Sequence, residues 1–233
     1  MTGGSGGIGA AICRRLASAG HEVYVHANHN RDAAAAVAAV IEAAGGRARA
    51  VAFDVTDEAG TRLALEALLE EGPIQILVNN AGVHDDAAFP GMSPTQRHRV
   101  IDVTVGGFYH VTQPLLLPMI RTRWGRVINM SSITALIGNR GQVNSAAAKG
   151  AVNAATKSLS LELASRGITV NAVAPGIIAT GMAAAFDPAR IAELVPMKRA
   201  GTAEEVADLV AFLASDAAGY VTGQVIAISG GLA

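Results

Sequence analysis

A chain of 233 residues with 51% hydrophobic and 16% charged residues can bury one large core, and α/β folds of this length are commonly a single domain. The net charge of -1 and pI near 6.6 exclude a global field that would draw nucleic acid or an anionic membrane, so an acidic partner has to meet a local basic patch. The single cysteine, Cys13, excludes an internal disulfide and suits a reducing cytoplasm, while no run approaches the roughly 18 apolar residues of a membrane span and the glycine-rich start is unlike an export signal.

The chain opens on Thr2-Gly3-Gly4-Ser5-Gly6-Gly7-Ile8-Gly9 and runs into a helix predicted near Ile8 to Ala19. Apolar, β-branched runs then predict strands over Glu22 to Ala27, Ala50 to Phe53, Gln75 to Asn79, Arg126 to Met130, Thr169 to Ala174 and Val225 to Ser229. Between them, segments of helical period predict helices over Arg31 to Ala44, Glu58 to Leu69, Pro94 to Arg123, Ser145 to Ser165 and Ala203 to Ala214, with Gly20, Gly45 and Gly167 marking three helix ends. This alternation predicts one α/β domain over residues 1–233: a Rossmann-type, doubly wound parallel sheet with helices on both faces. A phosphate-binding glycine turn should follow a strand, yet only Met1 and Thr2 precede it. The first, central strand is therefore expected to be missing from this sequence, leaving unpaired edges on both neighbours and an apolar slot between the helices.

The glycine-rich octapeptide feeds a helix, whose free N–H groups and positive end suit a diphosphate. Alone it is as well explained by a plain turn. Asp54-Val55, Asn79-Asn80-Ala81-Gly82 and Pro175-Gly176 add weight, because all lie at strand C-terminal ends, where open α/β sheets bind ligands.

Thr2-Gly3-x-x-x-Gly7-x-Gly9, Asn79 to Gly82, Ser132, Lys149, Asn171 and Pro175-Gly176 together give the chain, over its whole length, a close resemblance to the short-chain dehydrogenase/reductase family. That resemblance implies a nicotinamide dinucleotide cradled by Gly3, Ser5, Gly6, Gly7, Ile8 and Gly9. Asp54 and Val55 would meet the adenine, and Asn80, Ala81 and Gly82 the ribose region, although Asn80 is also readable as a strand cap. Pro175, Gly176, Ile178 and Thr180 would meet the nicotinamide and phosphates. Cofactor choice follows from charge. The first predicted strand, Glu22 to Ala27, runs out into Asn28-His29-Asn30-Arg31 with no acid until Asp32, so nothing repels a 2′-phosphate, Asn28 can donate to it and Arg31 can pair with it. NADP(H) is expected; the plainer reading of Arg31 is a solvated helix start.

Reducing a ketone by hydride requires a proton for the developing alkoxide. The resemblance assigns it to a tyrosine, assisted by a lysine four residues later on the same helical face and a serine from the preceding strand end. Ser132 and Lys149 match the latter two, and Ser145 stands at the tyrosine's place. An aliphatic hydroxyl is a far weaker acid than a phenol of pKa about 10, and its side chain is shorter. The chain is therefore expected to bind cofactor and substrate but to turn over slowly or not at all. An introduced Tyr-to-Ser substitution and a natural pseudoenzyme both explain Ser145. Thr104 stands where the family commonly has an asparagine that holds a water beside the lysine; both Ser132 and Thr104 also read as polar caps or helix back-bonders.

Within the family the resemblance is nearest to 3-oxoacyl-acyl-carrier-protein reductases, through the segments Gly138 to Gln142, Arg166 to Asn171 and Tyr220 to Gln224. It implies NADPH-dependent reduction of a 3-oxoacyl thioester in fatty-acid or polyene-type biosynthesis. It also implies a homotetramer, a substrate lid near 179–195, and Arg123 with Arg166 near the active-site mouth to dock an acidic acyl carrier protein. Ordinary helix-end charges and plain helix packing are the simpler readings of the arginines and the lid. The six histidines share no metal-ligand spacing, and no metal is expected. Two other functions stay open: a dinucleotide-binding regulator or scaffold, and a reductase of another small ketone or alcohol.

Overall fold

The computed structural model describes residues 1–180 and 187–233. The strands are β1 (Glu22–Ala27), β2 (Arg47–Ala52), β3 (Ile76–Asn79), β4 (Gly125–Met130), β5 (Ile168–Pro175) and β6 (Val225–Ile228). Every pairing is parallel. The helices between them are α1 (Gly7–Ser18), α2 (Arg31–Ala43), α3 (Glu58–Leu69), α4 (Pro94–Ile101), α5 (Gly107–Thr122), α6 (Thr134–Ile137), α7 (Val143–Leu163), α8 (Pro188–Leu194) and α9 (Ala203–Ala214). The expected α/β class with helices on both faces is what forms. β4 and β5 are buried at every position, as strands covered on both faces must be. Two apolar clusters flank the sheet, one around Ile12, Leu16, Val206 and Val210 beneath α1 and α9, the other around Leu65, Val111, Leu115 and Met119 beneath α3 and α5.

Helix starts follow local chemistry. Asn30 and Asp57 accept from backbone N–H groups inside α2 and α3. Reciprocal boxes, Ser93 with Gln96 and Thr202 with Glu205, open α4 and α9.

The sheet is divided. β1 and β2 form one pair, β3-β4-β5-β6 a separate four-stranded sheet, and β1 does not bond to β3. Residues 1–4 bridge the upper end of the gap. Thr2 N–H donates to the Val78 carbonyl at 3.0 Å, His26 N–H to that of Met1 at 3.1 Å, and Gly4 N–H to that of His26 at 2.8 Å. The Met1 nitrogen donates to the Tyr24 carbonyl at 3.1 Å. Below them lies a cavity of about 590 Å³ lined by Leu16, Val23, Leu65, Leu77 and Leu115, among others. Its lining is mixed, with Glu22, His26, Glu71 and Gln75 beside the apolar side chains.

The helix expected over Pro94 to Arg123 is instead three segments, because a π-helical stretch, Asp102–Gly106, separates α4 from α5. Gly107 follows it, and Val55 Cγ2 lies 2.9 Å from where a Cβ would sit there. Only glycine lets α5 approach the end of β2 this closely.

Candidate active site

The glycine turn sits at the upper end of the gap, where α1 begins. Gly6 caps α1 without any side-chain hydrogen bond, which leaves the first N–H groups of the helix for a ligand. Gly3 has φ +59, and a Cβ on Gly9 would stand 2.1 Å from the Gly3 carbonyl oxygen, so backbone packs on backbone here and no side chain fits. Thr180 borders the same turn, its Cγ2 lying 3.0 Å from where a Cβ on Gly7 would be. An uncapped helix end faced by a glycine-lined surface fits the diphosphate of a nicotinamide dinucleotide.

Asn80 spends its side-chain amide on the turn, donating to the carbonyls of Thr2 and Gly3 at 3.1 and 3.0 Å. Thr2 reciprocates, its hydroxyl oxygen accepting from the N–H groups of Asn80 and Ala81 at 2.9 and 3.0 Å. Asn80 thus braces the cradle, beside the half-exposed Ala81 and the exposed Gly82. One residue earlier, the Asn79 amide donates to Asn129 Oδ1 and Thr112 Oγ1, and Asn129 donates to Thr156 Oγ1, each at 2.9 Å. This buried polar ladder ties β3, β4, α5 and α7 together directly under the site.

At the end of β1, Asn28, His29 and Arg31 are exposed, while Asn30 is occupied as the α2 cap. At the end of β2 the Asp54 carboxylate accepts from Thr56 N–H and Oγ1–H at 2.9 and 2.8 Å, which holds its pKa below the usual carboxylate range. The buried Val55 lies beside it.

The catalytic candidates gather above β4. Ser132 follows that strand, between two bonds that fix its loop to β5: Ser131 N–H to the Val173 carbonyl at 2.7 Å, and Ile133 N–H to that of Pro175 at 2.9 Å. Its Oγ accepts from Thr134 N–H and Oγ1–H at 3.2 and 3.0 Å, leaving its own proton to be donated elsewhere. Lys149, on α7, reaches the Met130 carbonyl with its ammonium at 2.6 Å, and burial lowers its pKa to about 8. Ser145, one helical turn earlier, is buried, and its Oγ has no hydrogen-bond partner among the described residues. Thr104 lies in the π-helical stretch, where Thr104, Asn79, Lys149 and Thr2 help line a cavity of about 10 Å³, at the lower limit for one water.

Pro175 and Gly176 close β5, with Gly176 N–H on the Ile228 carbonyl at 2.9 Å. Ile178 is buried, paired with Gly201 in an isolated bridge. Of the expected lid over 179–195, residues 181–186 lie outside the described residues; α8, capped by Asp187, occupies its second half.

Two expected site residues are elsewhere. Arg123 and Arg166 precede β4 and β5, so they stand at the strands' N-terminal ends, opposite Ser132 and Lys149. Six-residue β4 separates the two edges, about 20 Å at 3.3 Å per residue. Within one protomer the pair is therefore not at the active-site mouth. Arg123 donates to the Ser165 carbonyl at 3.1 Å, and both side chains are exposed. Conversely, sequence reasoning missed His26, which braces the glycine turn from the other side; its position closing an apolar strand opposite that turn was the available signal.

A family model described as enoyl-(acyl carrier protein) reductase matches residues 3–233. The chain is similar to the 3-oxoacyl-acyl-carrier-protein reductase FabG of Aggregatibacter actinomycetemcomitans, 44% identical over all of this chain and 97% of that protein. It is similar to the FabG of Aquifex aeolicus, at 41% over all of this chain and 95% of that one. It is also similar to the acetoacetyl-CoA reductase of Shinella zoogloeoides, at 39% over 99% of this chain and 96% of that protein. With the family model spanning nearly every residue and similarity running the full length, the chain belongs to the short-chain dehydrogenase/reductase family of oxidoreductases.

Proposed function

We propose that the chain binds NADPH and is built to reduce a 3-oxoacyl thioester on acyl carrier protein to the 3-hydroxyacyl form, with turnover curtailed by Ser145. One observation carries this reading: an uncapped α1 N-terminus, a Ser132 hydroxyl with its proton uncommitted and a Lys149 ammonium held, among the described residues, only by a carbonyl converge on one sheet edge. A bound NADPH would supply hydride to the substrate carbonyl carbon. Ser132 orients the carbonyl by donating its free proton to the oxygen. Lys149 offers positive charge and hydrogen bonds to the cofactor's ribose. No phenol stands by to protonate the alkoxide, since Tyr24 sits on β1 against Arg49 while Tyr109 and Tyr220 are exposed. Loss of such a general acid lowers the rate by roughly 10²- to 10⁴-fold.

The exposed Asn28 and Arg31, with no carboxylate at the end of β1, favour the 2′-phosphate of NADP(H). The Arg123 and Arg166 corner, far from its own site, serves a carrier protein only at the mouth of a neighbouring copy, as in a cytoplasmic homotetramer. Among the described residues no helix is long and apolar enough to cross a membrane.

Restoring Ser145→Tyr should raise NADPH oxidation with an acetoacetyl-carrier-protein substrate by at least roughly 10²-fold, with NADPH bound more tightly than NADH before and after the change. Running acetoacetyl-CoA in parallel separates the two substrate carriers named among the similar proteins. A tyrosine variant no faster than its parent would sink the reductase reading. It would leave a dinucleotide-binding regulator or scaffold, the reading that the unpartnered Ser145 hydroxyl favours.

A further inference from the structure

Two consecutive peptide units of the glycine turn are clamped from opposite sides by two side chains. The Thr2–Gly3 unit gives its N–H to His26 Nδ1 at 3.1 Å and its carbonyl to the Asn80 amide at 3.1 Å. The Gly3–Gly4 unit gives its N–H to the His26 backbone carbonyl at 2.8 Å and its carbonyl again to Asn80, at 3.0 Å. We propose that His26 is a positioning residue for the dinucleotide, holding these peptide units so that carbonyls face inward to Asn80 and the α1 N–H groups stay open to the diphosphate. The inference rests on the dinucleotide-binding reading above.

The ring's chemistry is narrowly specified. A backbone N–H can only donate and a carbonyl can only accept, so Nδ1 must be the acceptor from Gly3 while Nε2–H donates to the Phe53 carbonyl at 2.8 Å. A single neutral tautomer satisfies both; a protonated ring would turn a second N–H on Gly3. The ring is buried, packs on Phe53 at 4.1 Å between centroids, and burial holds its pKa near 4, so it stays neutral around neutral pH. Through Phe53, the same ring joins the diphosphate turn to the end of β2, where Asp54 and Val55 stand. Without the ring, only backbone bonds from β1 hold the turn on that side. Gly3, at positive φ, is then free to rotate its peptide planes and point a carbonyl at an incoming phosphate.

Two substitutions separate the ring's halves. His26→Asn places an acceptor oxygen where Nδ1 was and drops the reach to Phe53. His26→Gln reaches Phe53 with an amide and removes the acceptor from Gly3. NADPH affinity by fluorescence titration should stay within about twofold of the parent in His26→Asn and weaken about fivefold in His26→Gln, the loss of one such hydrogen bond. Amide exchange at Gly3 in the cofactor-free chain should accelerate in His26→Gln only. The proposal is overturned if the two variants lose affinity in step with their melting temperatures, or if Gly3 exchange is the same in all three chains. Should the parent bind neither NADPH nor NADH, the dinucleotide reading fails, and exchange at Gly3 still decides whether His26 holds the turn.

Discussion

Lys149 is the residue on which this site's electrostatics turn. Among the described residues its ammonium has one hydrogen bond, to a carbonyl, and no carboxylate opposes its charge. Burial therefore dominates, lowering its pKa from 10.5 to about 8. Between those values the unfolded chain binds a proton that the folded chain does not, so stability rises with pH across the window. Below pH 8 the cost of partly desolvating this charge is present in full. Lys149→Met should accordingly be more stable than the parent at pH 7, by up to about 3 kcal/mol. The gap should close as pH climbs from 8 to 10.5. Urea unfolding at several pH values measures it, and a constant gap would mean that the lysine gains solvent or a partner absent from this arrangement. Ser145 shows the complementary problem: its hydroxyl is buried and unpaired, which costs stability without supplying acid.

At the level of elements, the site depends on the polar ladder below it as much as on its own side chains. Asn129→Ala would strip one partner from Asn79 and the donor to Thr156, leaving buried polar groups between β3, β4 and α7. A loss of about 2 kcal/mol in denaturant unfolding is expected, with site geometry disturbed even though no site residue is altered. Much of this architecture was legible beforehand. The spans of β1, α3 and α9 coincide with the predicted ones, because each is a uniform pattern bounded by a cap or a glycine. The π-helical stretch around Thr104 was not legible, since Pro94 to Arg123 keeps a helical period throughout and the interruption arises where α5 must fit against Val55. Nor did sequence spacing distinguish the two ends of a strand for Arg123 and Arg166. Both precede their strands, which sets them at the opposite edge of the protomer from Ser132 and Lys149. The glycine turn was legible because it opens a helix and Ser132 because it follows a strand, at the edge where ligand-facing groups collect, whereas Lys149, inside α7, stands out in the sequence only by resemblance.

Over the whole molecule, the division of the sheet has a consequence for motion. β1, α2 and β2 join the four-stranded sheet through a short bridge of backbone bonds at residues 1–4 and through the packing of α1. Such a unit can open as a cooperative piece without unfolding the rest. Amides of Val25 and Val51 should then exchange through this lower-energy opening, well ahead of those of Val127 and Val170 in β4 and β5, as hydrogen exchange followed by mass spectrometry would register. Equal protection in both sheets would mean that the two halves open only together. Were the part that carries Asn28 and Arg31 to open in this way, a dinucleotide spanning the gap would act as a staple between two bodies. Its binding energy would appear as slower opening of one half and not as uniform stiffening of the chain.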